Sequence, residues 1–336
     1  MANPICVAVD GMGGDKGLSV TEPAVLEFIS QHQNAQVAFF APLAQVSDVL
    51  KNHPRIRCVE SPEVVAMDAD PLYAIKNQKQ SSMRLALESL AAQETQVCVS
   101  AGNTGVLMGL GRFVLRMFPG VERPAIMGVL PTQTLGRCLH MLDLGASVDA
   151  SAEQLLQFAT MGTAAVQVLA KVRQPRVGLL NIGHEMAKGT DKIKQTSTLL
   201  EENKDIHYVG FIEASDLFLD RCDVLVCDGF VGNSVLKACE GTMHLIFDLI
   251  KKASHKNCMT KLAGLGTRWL LSDIKNAYHP DVRNGAFLLG LKETVIKSHG
   301  GSGVRGFTHA LNVAYCAVEQ KITQRVGQRL TSVGEA

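Results

Sequence analysis

The chain has 336 residues, 46% hydrophobic and 19% charged, which excludes a disordered polymer and supplies enough apolar surface for a sizeable core. Its 33 Lys and Arg nearly cancel its 32 Asp and Glu, so no global field draws it to nucleic acid or an acidic membrane, and any anion site must be local. The nine cysteines form no CxxC pair or Cys/His metal spacing, MANPICVAVD lacks the layout of a secretion signal, and no apolar run reaches the roughly 18 residues of a spanning helix; a cytoplasmic protein without metal or cofactor is expected.

Along the chain, short β-rich runs alternate with Gly/Asn/Asp junctions and longer helical runs, which predicts a three-layer α/β/α, Rossmann-like architecture around a largely parallel sheet. Strands are expected at 5–10, 35–41, 56–61, 97–101, 125–131, 139–145, 176–182 and 223–229. Helices fill most intervals. One runs over 152–171, where Leu155, Leu156, Ala159, Val166 and Leu169 form an apolar stripe behind a Ser151 cap. No repeat or low-complexity linker divides the chain, so residues 1–336 read as a single domain. Within it, 243–278 reads as a basic amphipathic helical excursion: Lys251, Lys252, Lys256, Lys261, Arg268 and Lys275 beside an apolar stripe of Met259, Leu262, Leu265, Trp269 and Leu270. Such a stripe suits packing or a dimer contact first, and an acidic partner or membrane surface second.

Five junctions carry chemistry. The first, VAVDGMGGDKG, offers Asp10, Gly13, Gly14 and Asp15, but its glycines miss GxGxxG and GxxxxGK[ST], and the 35–41 strand ends without a ribose-binding acid; this argues against NAD and excludes a P-loop of the usual form. The second places Gly102, Asn103, Thr104 and Gly105 between a strand and an apolar helix, where backbone N–H groups and the helix's positive end favour an anion and where Asn103 and Thr104 also suit capping. The third carries Asn181, Gly183, His184, Glu185 and Lys188; in the fourth, Asp228, Gly229, Gly232, Asn233 and Ser234 open a helix; the fifth holds Lys297, His299 and Ser302. The first four follow predicted strands, so parallel strands would gather them at one carboxyl-terminal edge. Their content is mostly donors, which suits an oxyanionic substrate. There is no metal-ligand spacing and no GxSxG elbow.

Taken in order, VDGMGGD, SSM (81–83), SAGNTG, RPAI (123–126), LDLGASVD (142–149), QFATMG (157–162), PRVGLLNIG, CDGFVGNSVLK and LLGLKETVIKSHGGS (288–302) resemble the PlsX family, the phosphate acyltransferases of bacterial phospholipid synthesis. The resemblance implies a phosphotransacetylase-like and isopropylmalate-dehydrogenase-like fold, usually dimeric and associated with the inner membrane surface. It implies attack of inorganic phosphate on the thioester of an acylated acyl carrier protein, giving acyl phosphate for a downstream acyl-phosphate:glycerol-3-phosphate acyltransferase. Phosphate is already an anionic nucleophile, so such a site orients it and needs no strong base. In this reading Asn103, Thr104 and nearby amides of Gly102 and Gly105 hold phosphate, and Asp10, Gly13, Gly14, Asp15, Asp228, Gly232 and Asn233 shape the pocket. Asn103 or Asn233 serves an oxyanion hole, and Lys188, Lys297 or His299 offsets charge and assists the departing thiol. The chain departs from the family pattern at Gly11, Ser147 and His184, where Ala, Asn and Glu are usual. The residues leave open a coenzyme A-dependent relative and a non-enzymatic anion binder.

Overall fold

The computed structural model describes residues 4–134, 136–254 and 280–333; the part of the expected excursion beyond Ser254 and up to residue 278 lies outside them. The strands are β1 (Ile5–Asp10), β2 (Ala35–Ala41), β3 (Ile56–Glu60), β4 (Val97–Ser100), β5 (Ala125–Pro131), β6 (Cys138–Leu142), β7 (Arg176–Leu180), β8 (His207–Ile212), β9 (Val224–Val226), β10 (Ala286–Leu289) and β11 (Thr294–Lys297). Among the described residues they form one 11-stranded sheet in the order β3-β2-β1-β4-β11-β10-β5-β6-β9-β7-β8. The expected strands are all present, with ends shifted by a few residues at most. Three were not foreseen: β8 is an edge strand with four of its six residues exposed or half-exposed, and β10 and β11 are four residues each, too short for a periodic signal.

The helices are α1 (Leu18–Gln31), α2 (Asp48–Lys51), α3 (Pro71–Asn77), α4 (Ser82–Ala91), α5 (Thr104–Val114), α6 (Ala152–Leu169), α7 (Asp191–Glu202), α8 (Gly229–Ser254), α9 (Val304–Glu319) and α10 (Ile322–Val333). Central strands such as VCVS are buried on both faces, as parallel strands sandwiched by helices must be. On one face Phe28 of α1, Phe158 of α6 and Phe307 of α9 pack together over the sheet; on the other, Met83 and Leu87 of α4, Leu107 and Leu110 of α5 and the inner side of α8 do so. Ser151 caps α6 in a reciprocal capping box with Gln154.

The strands do not all run one way. β1, β2, β3, β4 and β11 are mutually parallel, but β10 is antiparallel to both β11 and β5, and β6 is antiparallel to β5. β6, β9, β7 and β8 are again parallel to one another and therefore run opposite to the first group. The expected gathering of four junctions at one carboxyl-terminal edge is thereby corrected. Two groups of strand ends point in opposite senses along the sheet, because three antiparallel steps, an odd number, lie between them.

Candidate active site

The first group forms where β1, β4 and β11, side by side and parallel, end at Asp10, Ser100 and Lys297. Asp10 is buried and accepts hydrogen bonds from Ser82 Oγ and Ser100 Oγ, each at 2.6 Å. Burial raises its carboxyl above the ordinary range despite these donors. Lys297 is buried too, and its Nζ donates to the carbonyl oxygens of Ala101, at 3.3 Å, and of Ser298. Loss of solvent lowers this ammonium from 10.5 to about 8, while the charges of Asp10 and Asp15 pull upward. The first, second and fifth junctions interlock here. A Cβ on Gly13 would stand 2.8 Å from Gly102 N, so glycine permits the approach, and Asp15 N donates to Gly300 O at 3.0 Å.

At the Gly102–Gly105 turn, the side chain of Asn103 is occupied. Its Oδ1 accepts from Val106 N at 3.0 Å as the cap of α5, and its Nδ2 donates to Met67 O at 2.8 Å and Ala69 O at 3.2 Å. Expected as a phosphate ligand or oxyanion donor, Asn103 instead ties the 67–69 segment to the turn. The N–H groups of Thr104 and Gly105, in the first turn of α5, have no intrahelical acceptor. His299 Nδ1 accepts from Gly301 N at 3.1 Å, and its Nε2 lies 3.7 Å from Glu240 Oε2 of α8.

The second group is built on Asp143, just past β6. Asp143 is buried; Oδ1 accepts from Ile126 N and Ala146 N, both at 2.9 Å, and Oδ2 from Ser147 N at 2.7 Å and Ser147 Oγ at 2.9 Å. Ser147 Oγ in turn accepts from Gly229 N at 3.1 Å, which docks the start of α8. Any Cβ on Gly232 would overlap the Asp143 carbonyl, so α8 seats only with glycine there. Asn233, one position on, faces Gly145, and its side chain makes no hydrogen bond among the described residues. Lys192 Nζ bridges Asp149 at 2.5 Å and Asp228 at 3.3 Å, Lys188 pairs with Glu185 at 3.0 Å, and His184 Nε2 faces Asp216 at 3.2 Å.

Asp10, Gly13, Gly14, Asp15, Gly102, Asn103, Thr104, Gly105, Lys297 and His299 thus belong to one group, and Lys188, Asp228, Gly232 and Asn233 to the other. Helix α8 joins them. Asn233 and Glu240 share a helix face seven residues apart, about 10 Å along the axis, and Glu240 is the residue that His299 meets. Sequence reasoning passed over Ser82, Ser100, Asp143 and Lys192, and gave Ser147 no task. The only signals were the places of Ser82 in SSM, Ser100 in SAGNTG and Asp143 and Ser147 in LDLGAS, where serine and aspartate also read as turn formers; Lys192 lay in none of these motifs.

Residues 5–325 match the family model described as "Fatty acid synthesis protein". The chain is 43% identical to a phosphate acyltransferase of Alcanivorax borkumensis over 98% of both chains, and 41% identical to one of Legionella pneumophila over 97% of this chain and 96% of that one. The chain belongs to the PlsX family. It is accordingly an acyltransferase that uses phosphate. Among solved structures, a phosphotransacetylase from Streptococcus pyogenes aligns with TM-score 0.60 at 12% identity over 95% of this chain and 94% of that one. A branched-chain phosphotransacylase from Enterococcus faecalis aligns with TM-score 0.56 at 12% identity over 96% and 99%. At that identity they establish the PlsX chain's α/β fold alone.

Proposed function

We propose that this phosphate acyltransferase moves a fatty acyl group from the thioester of acyl carrier protein to inorganic phosphate. A phosphate oxygen forms a bond to the thioester carbonyl carbon, the C–S bond breaks, and acyl phosphate leaves together with the carrier thiolate, which takes up a proton. The observation that carries this reading is the buried Lys297 ammonium bonded to Ala101 O, three residues before the Thr104 and Gly105 amides that open α5: a positive charge and backbone donors supplied by one turn, as a dianionic nucleophile needs. Asn233, whose amide is unengaged, and Lys188 supply donors for the oxyanion from the other group. A phosphate joined to a tetrahedral carbon and gripped at both ends by hydrogen-bond donors spans about 10 Å, the scale of the Asn233 to Glu240 face of α8.

Within the same reading the chain works as a cytoplasmic homodimer in peripheral contact with the inner membrane. The exposed Lys251 and Lys252 beside Leu245, Ile246 and Leu249 on the far end of α8 suit an acidic carrier or lipid surface. No described helix is long and apolar enough to cross a membrane. The product, a mixed anhydride, feeds a downstream acyl-phosphate:glycerol-3-phosphate acyltransferase. No cofactor, metal or nucleic acid enters.

The test is direct. The purified protein, long-chain acyl carrier protein and phosphate are mixed, and acyl phosphate is trapped as the hydroxamate. Phosphate-dependent product supports the reading. Preference for acetyl-CoA over the carrier thioester, or phosphate binding with no product, overturns it.

A further inference from the structure

The loops or helix starts that follow three strands of the second group each expose a large apolar residue directly after a buried, hydrogen-bonded one. Val148, 80% exposed, follows Ser147; Ile182, 79% exposed, follows Asn181; Phe230, 66% exposed, follows Gly229. The Ser147 to Gly229 hydrogen bond sets Val148 and Phe230 beside each other, and Lys192 clasps the residues on their outer flanks, Asp149 and Asp228. The 182–189 loop, folded onto Asn181 through its Nδ2 bonds to Gly183 O and Lys188 O, runs into α7, whose second residue is that same Lys192. β6, β9 and β7 are adjacent in the sheet, so the three apolar residues occupy one stretch of its edge. Met186, also exposed, extends that stretch toward Lys188.

Apolar side chains gathered at one edge and rimmed by fixed polar groups mark a ligand surface more than a random exposure does. Phe230 stands three residues before Asn233 on the same helix, within one turn and on the same face. We propose that Val148, Ile182 and Phe230 form the rim that receives the hydrocarbon chain of the acyl donor, leading away from the carbonyl held near Asn233. This rests on the acyl-transfer reading and deepens it by naming where the chain lies. The polar clasp explains the design: Lys192 and Ser147 hold the three loops in place, so the apolar rim stays formed without a chain to organise it.

The experiment compares hexadecanoyl and butyryl thioesters of the same carrier, at saturating phosphate, in the full-length protein. Phe230→Ser, Val148→Ser and the double variant change exposed side chains and leave the Lys192 and Ser147 clasp untouched. The ratio of kcat/KM for hexadecanoyl over butyryl is expected to fall at least tenfold in the double variant, while Val49→Ser, an equally exposed change on α2, keeps the wild-type ratio. Active variants with an unchanged ratio overturn the rim and leave the acyl-transfer reading standing. A wild-type protein that releases no acyl phosphate from either thioester refutes that reading, and the rim with it. If the changes instead split a dimer on size-exclusion chromatography and depress both donors alike, the rim is a subunit contact and the assignment fails.

Discussion

Replacing Lys297 by methionine separates what this residue does for the reaction from what it does for the fold. In the folded chain its ammonium titrates near 8, against an ordinary 10.5, because it is buried. At about 1.4 kcal/mol per pH unit, that displacement corresponds to about 3 kcal/mol against keeping the charge inside. The sign follows from proton counting. Below about pH 8 both folded and unfolded chains bind the proton and the full penalty applies; between about 8 and 10.5 only the unfolded chain binds it, so this group's burden on stability lifts as pH rises. Methionine keeps the stem and removes the charge. The carbonyls of Ala101 and Ser298 lose a donor, at about 1 kcal/mol each, and Asp10 loses a neighbouring positive charge but keeps Ser82 and Ser100. These terms nearly cancel, so Lys297→Met at pH 7 is expected to melt within about 5 °C of the wild type.

Activity should not be spared. Lys297 is the fixed charge that grips the phosphate nucleophile, so its loss should lower kcat/KM for phosphate on the order of a hundredfold or more. The wild type should also lose activity as pH rises through about 8, where Lys297 gives up its proton, and the variant should lack that limb. The assays are hydroxamate trapping across pH 6 to 10 and thermal melting on the same samples. A Lys297→Met protein within threefold of wild-type activity, or one that keeps the alkaline limb, refutes the role assigned to this ammonium.

Three further outcomes follow from the geometry. Asn233→Ala removes a side chain with no hydrogen bond among the described residues, so urea unfolding should shift by less than about 0.5 kcal/mol while kcat falls on the order of a hundredfold; an unchanged kcat would place the oxyanion elsewhere. Gly232→Ala puts a methyl into the Asp143 carbonyl and should destabilise by about 3 kcal/mol or more, or abolish soluble expression, a change read from the melting temperature. Asn103→Ala deletes the α5 cap and the tether to Met67 and Ala69, with an expected loss of about 2 kcal/mol in chemical denaturation and a raised KM for phosphate at nearly constant kcat; a fall in kcat alone would instead favour Asn103 as an oxyanion donor.

Much of this was readable in the chain because it depends on near neighbours. The apolar runs at 5–10, 97–101 and 176–182, the Ser151 cap and the helix opened by Gly229 are decided by residues within a few positions of each other, and they stand where expected. So do the junction residues themselves, since glycine and asparagine at a strand-to-helix turn reflect local backbone demands. What the chain alone did not reveal depends on pairing between distant segments. Asn103 looked available until the carbonyls of Met67 and Ala69, more than 30 residues upstream, were found bonded to it. Asp10 acquired its serine partners 72 and 90 residues later. The three successive antiparallel pairings, β11 with β10, β10 with β5 and β5 with β6, reversed the second half of the sheet and divided the donors into two groups. Strand direction is set by which edges hydrogen-bond, a choice no local pattern encodes. Only the fold could show that α8, which carries Asn233 in one group, reaches His299 of the other through Glu240, because that contact pairs segments far apart in the chain.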